Sequence, residues 1–163
     1  IALADAAGSH YVGGVARVSA ITLESRTAPP RASLPRYGEV IQRWLDVGSW
    51  SHLLTTMRNL VPTLTEVGAD AGAAQLLGAV TRFDQTPTYG QELERLSAAE
   101  SALAARLGAA DFAQHRFVGS TRDLAASGRA AVTVIGGLLD SLQPVEPEEV
   151  MLDPQRYRPV EPS

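Results

Sequence analysis

The side chains best suited to metal or proton chemistry in this sequence are three histidines, His10, His52 and His115. They fall on three different predicted helices, and none has a ligand partner at i+4, the spacing that puts two ligands on one helical face. There is no cysteine, which excludes disulfides and thiolate metal sites. The serines lack a GxSxG setting, and Gly48-Ser49-Trp50 reads as a helix start and not as a nucleophile elbow. Gly13-Gly14 and Gly136-Gly137 stand outside the GxxxxGK[ST] and GxGxxG contexts that cradle phosphates. The acidic groups Glu92 with Glu94, and Glu146 with Glu148 and Glu149, read as solvated faces. No catalytic residue, metal or cofactor is therefore expected.

What remains is chemistry of contact. Trp44 and Trp50 bracket Gly48, one on each side of a predicted turn. Such a pair either packs inside a helix pair or lines a groove that grips a peptide or small effector. His52 lies beside them, and Arg17, Arg43, Arg58 and Arg82 would form a basic rim if their helices aligned. Scattered surface charge is the default for such arginines. Trp44, Trp50, His52 and Arg58 are the expected interaction-face residues.

The stretch that positions them is Ser49 to Ala79. Trp50, Leu53, Leu54, Met57, Leu60, Val61, Leu64 and Val67 recur at steps of three and four, an amphipathic helix. Ser49 can cap its start, and Gly68 supplies the left-handed residue that ends it. Asp70 is expected to cap a second helix, about Ala71 to Phe83, whose small residues allow a close approach. Pro62 removes one helical hydrogen bond, so a kink is expected there, at a cost of about 3 kcal/mol.

The same pattern extends both ways. A helix is predicted from Ser9 to about Ser25, then a loop over Thr27 to Pro35 with three prolines, then a helix from about Pro35 to Val47. Downstream come a break over Asp84 to Thr88 and a long helix from Tyr89 to Leu107 stopped by Gly108. A short helix from Asp111 to near Gly119 follows. After a connector over Ser120 to Leu124, a last helix is predicted from about Ala125 to Leu142. No strand is predicted. The fold class is all-α, an antiparallel helix-hairpin stack like a tetratricopeptide α-solenoid. Pairs starting near Ser9 and Ser49 recur at roughly 40 residues, within the range of helical repeats. Residues 1–142 make the helical-repeat domain. Residues 143–163, rich in proline and acids, make an extended tail.

The 163 residues bound one domain plus that tail. A net charge of -4 argues against a broad nucleic-acid footprint. Every basic residue is arginine, which together with abundant alanine and glycine looks like a coding bias. The longest apolar run, Ala130 to Leu139, is about half of a membrane span. Ile1 to Gly8 shows no secretion signal, so a cytoplasmic setting is expected. The chain opens as if on the last turns of a helix, and is taken as a piece of a longer protein.

The run from Arg36 to Ala79, RYGEVIQRWLDVGSWSHLLTTMRNLVPTLTEVGADAGAAQLLGA, resembles the carboxyl-terminal helical-repeat region of actinobacterial signal-transduction ATPase regulators, both LuxR-type and cyclase-fused. The features are Trp44 with Gly48, Trp50, the Met57-Arg58-Asn59-Leu60 run, Gly68, and Ala73 to Ala79. Leu96 to Gly119 is similar to the closing helices of that region. The resemblance implies a non-catalytic regulatory domain that contacts a protein partner or an upstream ATPase domain of the same chain. Members of that family often carry a DNA-binding helix-turn-helix at the carboxyl end, but the tail after Gln143 departs from that pattern, so no direct nucleic-acid contact is expected; nor, from the short apolar run, is contact with a membrane. An inducer-binding module with a pocket between helices is the alternative, and homodimerisation of the parent protein a third.

Overall fold

A computed structural model describes residues 29–83 and 90–141, together with Ala16 and Ala20, which are helical. The predicted helix from Ser9 to Ser25, apart from those two alanines, the break from Asp84 to Thr88, and the tail over 143–163 lie outside the described residues. From residue 29 on, the described residues form six α-helices in order: α1 (Leu34–Val47), α2 (Trp50–Glu66), α3 (Asp70–Phe83), α4 (Gln91–Leu107), α5 (Ala109–Thr121) and α6 (Leu124–Asp140). The fold is all-helical, and no strand occurs among the described residues. None of the described helices is long and apolar enough to cross a membrane.

The predicted proline loop is shorter than expected. Pro30–Ser33 form a 3₁₀ turn, and α1 starts at Leu34 with Pro35 in its first turn. Proline suits both places, because its fixed φ is helical and its missing N–H would have no helical partner there. Tyr37, Val40, Ile41 and Trp44 are buried, as their spacing requires.

Two glycines set the turns on either side of α2. Gly48 adopts φ 66, and the amides of Ser49 and Gly48 reach back to the carbonyls of Trp44 (3.0 Å) and Leu45 (3.3 Å). Gly68 adopts φ 83, with Ala69 on Leu64 (2.9 Å) and Gly68 on Thr65 (3.2 Å). Both are the paired 6→1 and 5→2 closure that needs a left-handed residue, and only glycine enters that region at no steric cost.

Helix α2 passes through Pro62 as one helical segment. The ring deletes the amide that would bond the Arg58 carbonyl. One residue on, the Asn59 carbonyl accepts the Tyr37 hydroxyl at 3.3 Å, a tie from α1 to the proline turn. Asp70 was expected to cap α3 but is its first helical residue. Its carboxylate instead receives Arg106 from α4, with Nε at 2.9 Å, while the same guanidinium donates to the Thr65 carbonyl at 2.8 Å.

The hairpin α2–α3 is the centre of the fold. Helix α2 touches α1, α3, α4 and α6, and α3 touches α2, α4, α5 and α6. Leu53, Met57, Leu60, Val61, Leu64, Ala73, Ala74 and Leu77 make the floor of one continuous core. Arg58 meets Glu92 near the start of α4, and Thr65 meets Arg106 near its end. Helices α2 and α4 therefore run in the same direction. Helix α6 then returns to α1, where a side chain on Gly128 would begin 3.2 Å from Leu45 of α1 and Leu53 of α2. Asp123, placed in the predicted connector, caps α6: its Oδ1 accepts the Ala126 amide at 2.6 Å.

Helix α5 runs past the predicted stop at Gly119 to Thr121. Gly119 serves a different purpose. A side chain on it would overlap the Gln75 backbone, and one on Gly78 would overlap the Arg116 backbone. The two glycines let α3 and α5 cross with their main chains in contact.

Candidate functional site

The turn between α1 and α2 holds three of the four expected interaction residues, and the structure sorts them onto two sides. Trp44 is 2% exposed, whereas Trp50 is 48% exposed. The Trp44 ring points into the α1–α2 interface, where its Nε1 donates to Thr56 Oγ1 at 3.1 Å. The Thr56 hydroxyl in turn donates to the His52 carbonyl at 2.7 Å, so both buried polar groups are satisfied. The His52 imidazole stacks on Trp44 with centroids 4.7 Å apart and planes 26° from parallel. Its Nδ1 lies 2.8 Å from Ser49 Oγ. Ser49 occupies the helix-cap position as expected, but its hydroxyl engages His52 and not a backbone amide.

Trp44 and His52 are therefore parts of a lock. The lock is built from residues spaced by three, four and eight, and it rigidifies the turn carrying Gly48. On the outer side of that turn Val47 is exposed, and the indole of Trp50 comes within 4.0 Å of where a Gly48 side chain would begin. The groove-lining pair considered from the sequence is thus divided: one tryptophan inside, one outside.

Arg58 lies two turns further along α2. Its side chain is largely buried, and its Nε donates to Glu92 Oε1 at 2.8 Å. Arg106, tied to Asp70 and Thr65, and three further arginines likewise join elements. Arg116 on α5 pairs with Glu100 on α4, Arg122 donates to Gln75 Oε1 on α3 at 2.8 Å, and Arg82 on α3 donates to the Ser120 carbonyl at the end of α5. Arg17 lies outside the described residues. Arg43, Arg58 and Arg82 sit on three different helices, α1, α2 and α3. Spacing within one helix could not have exposed these ties, because each partner is supplied by another element.

Among the described residues no three His, Cys, Asp or Glu side chains are placed to hold a metal ion. Two open clefts of about 270 Å³ occur. One lies between α2 and α4, lined by Pro62, Thr65, Glu66, Arg95, Ala98, Ala99, Ala102 and Arg106. The other lies between α3 and α5. Both are just under the usual volume of ligand sites, about 300–1,000 Å³.

No protein-family model, no curated protein and no solved structure matches this chain.

Proposed function

We propose that this protein is a non-catalytic regulatory domain whose task is contact with a protein partner, in the first instance an ATPase domain encoded upstream in the same chain. The observation that carries the proposal is Trp50. A tryptophan with 48% of its surface exposed stands beside exposed Val47 on a turn locked from within by Trp44, His52 and Thr56. Rigid, solvent-facing aromatic side chains are the preferred anchors of protein interfaces, because little conformational freedom is left to lose on binding. The polar groups point the same way. Arg58, Arg106, Arg116 and Arg122 are engaged in bridging helices.

The resemblance to helical-repeat regions of signal-transduction ATPase regulators agrees with this assignment. So do the tight hairpin turns at Gly48 and Gly68 and the parallel course of α2 and α4, which suit tetratricopeptide-like pairing. The return of α6 onto α1 adds a closure that an open stack does not make, since its contacts stay between chain neighbours. Binding of a partner at the Trp50 face would act by favouring one packing of this domain on the ATPase over another, a shift of populations without chemistry.

The test is to express the upstream ATPase domain separately and titrate it into this chain while recording tryptophan fluorescence. The expected result is a blue shift of the Trp50 emission on binding, and an affinity at least about tenfold weaker for Trp50→Ala. Binding that is indifferent to Trp50→Ala removes this face from the proposal.

The alternative, an inducer-binding module, is favoured by the α2–α4 cleft, whose lining combines Ala98, Ala99 and Ala102 with Arg95, Arg106 and Glu66. A thermal-shift screen against metabolites separates the two. A large stabilisation by one compound, together with no binding to the ATPase domain, selects the inducer module.

A further inference from the structure

The cleft between α3 and α5 is independent of the Trp50 face and has a composition that a contact domain does not need. Gly78, Thr81, Arg82, Arg116, Phe117 and Ser120 line an open cleft of about 270 Å³. Two of the six are guanidinium groups, two carry hydroxyls, and none is acidic, so the lining brings only positive charge, which favours an anion. Glu100 offsets part of the Arg116 charge from outside the lining.

Both guanidinium groups are held in place by this chain. Arg82 donates to the Ser120 carbonyl, and its guanidinium carbon lies 5.1 Å from the centre of the Phe83 ring. Arg116 donates to Glu100 and, at 3.4 Å, to Thr81 Oγ1, and stands 5.5 Å from the centre of the Phe112 ring. A guanidinium has five N–H donors, so these bonds leave others on each group. A pre-positioned pair loses little side-chain entropy when an anion arrives. The wall beside them is Phe117, 64% exposed and the most exposed large apolar side chain among the described residues.

We infer that this cleft binds a small organic anion that carries an aromatic ring, an aryl carboxylate or an aryl phosphate. The anionic group takes the donors of Arg82 and Arg116, where charge-assisted, two-point bonding is strongest. The ring covers Phe117 in an offset or edge-to-face contact. The volume admits one ring with one acidic group.

The experiment is a nuclear magnetic resonance titration of the complete, nitrogen-15-labelled chain with phenyl phosphate and with benzoate. Inorganic phosphate and benzyl alcohol are run in parallel, as the anion alone and the ring alone. Saturable shifts of the Gly78, Phe117 and Ser120 amides at millimolar concentration or below are expected with phenyl phosphate or benzoate. Arg82→Gln and Phe117→Ala, both at exposed side chains, should each weaken binding about tenfold. Arg82→Lys, which keeps the charge and loses the fork, should fall between Arg82→Gln and the unaltered chain. Phenyl phosphate against benzoate tells which acid is preferred. The inference is overturned if neither compound saturates, if inorganic phosphate or benzyl alcohol binds as tightly as both aryl acids, or if both variants keep full affinity.

Discussion

Gly78 and Gly119 are reciprocal. Each lies against the partner helix's main chain at the α3–α5 crossing, Gly78 over Arg116 and Gly119 over Gln75. No side chain separates the two helices at these points. The approach is set by backbone against backbone, and a single methyl group at either position has nowhere to go.

Gly119→Ala and Gly78→Ala should therefore each destabilise the chain by about 3 kcal/mol or more, beyond the usual range for overpacking, because a backbone cannot swing aside as a side chain can. The same change at Gly136 or Gly137, inside α6 with nothing within 4 Å among the described residues, should be neutral or stabilise by up to about 1 kcal/mol through helix propensity. Chemical denaturation of the four variants checks the opposite signs. Equal effects at all four positions would mean that the α3–α5 crossing is looser than described.

Two buried threonines on α2 should also respond in opposite directions to one substitution. Thr56 accepts the Trp44 indole N–H, so Thr56→Val leaves that donor buried without an acceptor and should cost about 1–3 kcal/mol. Thr63 is equally buried, and its hydroxyl has no hydrogen-bond partner among the described residues. Thr63→Val removes an unsatisfied group at nearly constant volume and should raise stability by about 1 kcal/mol. Urea midpoints for the two variants, with unchanged slopes, are the measurement.

The two tryptophans should be spectroscopically distinct. Trp44→Phe leaves only the exposed Trp50, and the remaining emission should be red-shifted and readily quenched by iodide. Trp50→Phe should leave a blue-shifted emission that iodide barely reaches, with stability within about 0.5 kcal/mol of the unaltered chain. Similar quenching of both variants would contradict the division of this pair across the turn.

Asp123→Ala should cost about 1 kcal/mol by freeing the Ala126 amide at the start of α6, whereas Asp123→Ser should recover most of that loss. Thermal melts followed by circular dichroism distinguish the cap from a general surface effect, which Asp123→Ser would not rescue.

How much of this was legible in the chain depends on the distance over which each feature is decided. The apolar spacing of Tyr37 to Trp44 and of Leu53 to Leu64, and the glycines at 48, 68 and 108, announced the helices and most of their ends. Those signals act within one or two turns. The Ser49 to Ala79 stretch also stood out, through the three- and four-residue steps of its apolar side chains, as the one that positions the rest, and it is the pair that touches the most other helices. Asp70 misled because an acid at a helix start serves either as a cap or as a first-turn charge, and Arg106 from α4 decided between them.

By itself, then, the sequence determined an all-helical chain with turns at particular glycines and a core drawn from particular faces, because helix formation, capping and periodicity are local. Only the tertiary structure decided which tryptophan is a lock and which is offered to solvent, and which glycine ends a helix and which lets two helices touch. It also decided that Arg58, Arg82, Arg106, Arg116 and Arg122 tie one element to another. Each of those depends on an atom supplied from another helix, and no spacing along one helix carries that information.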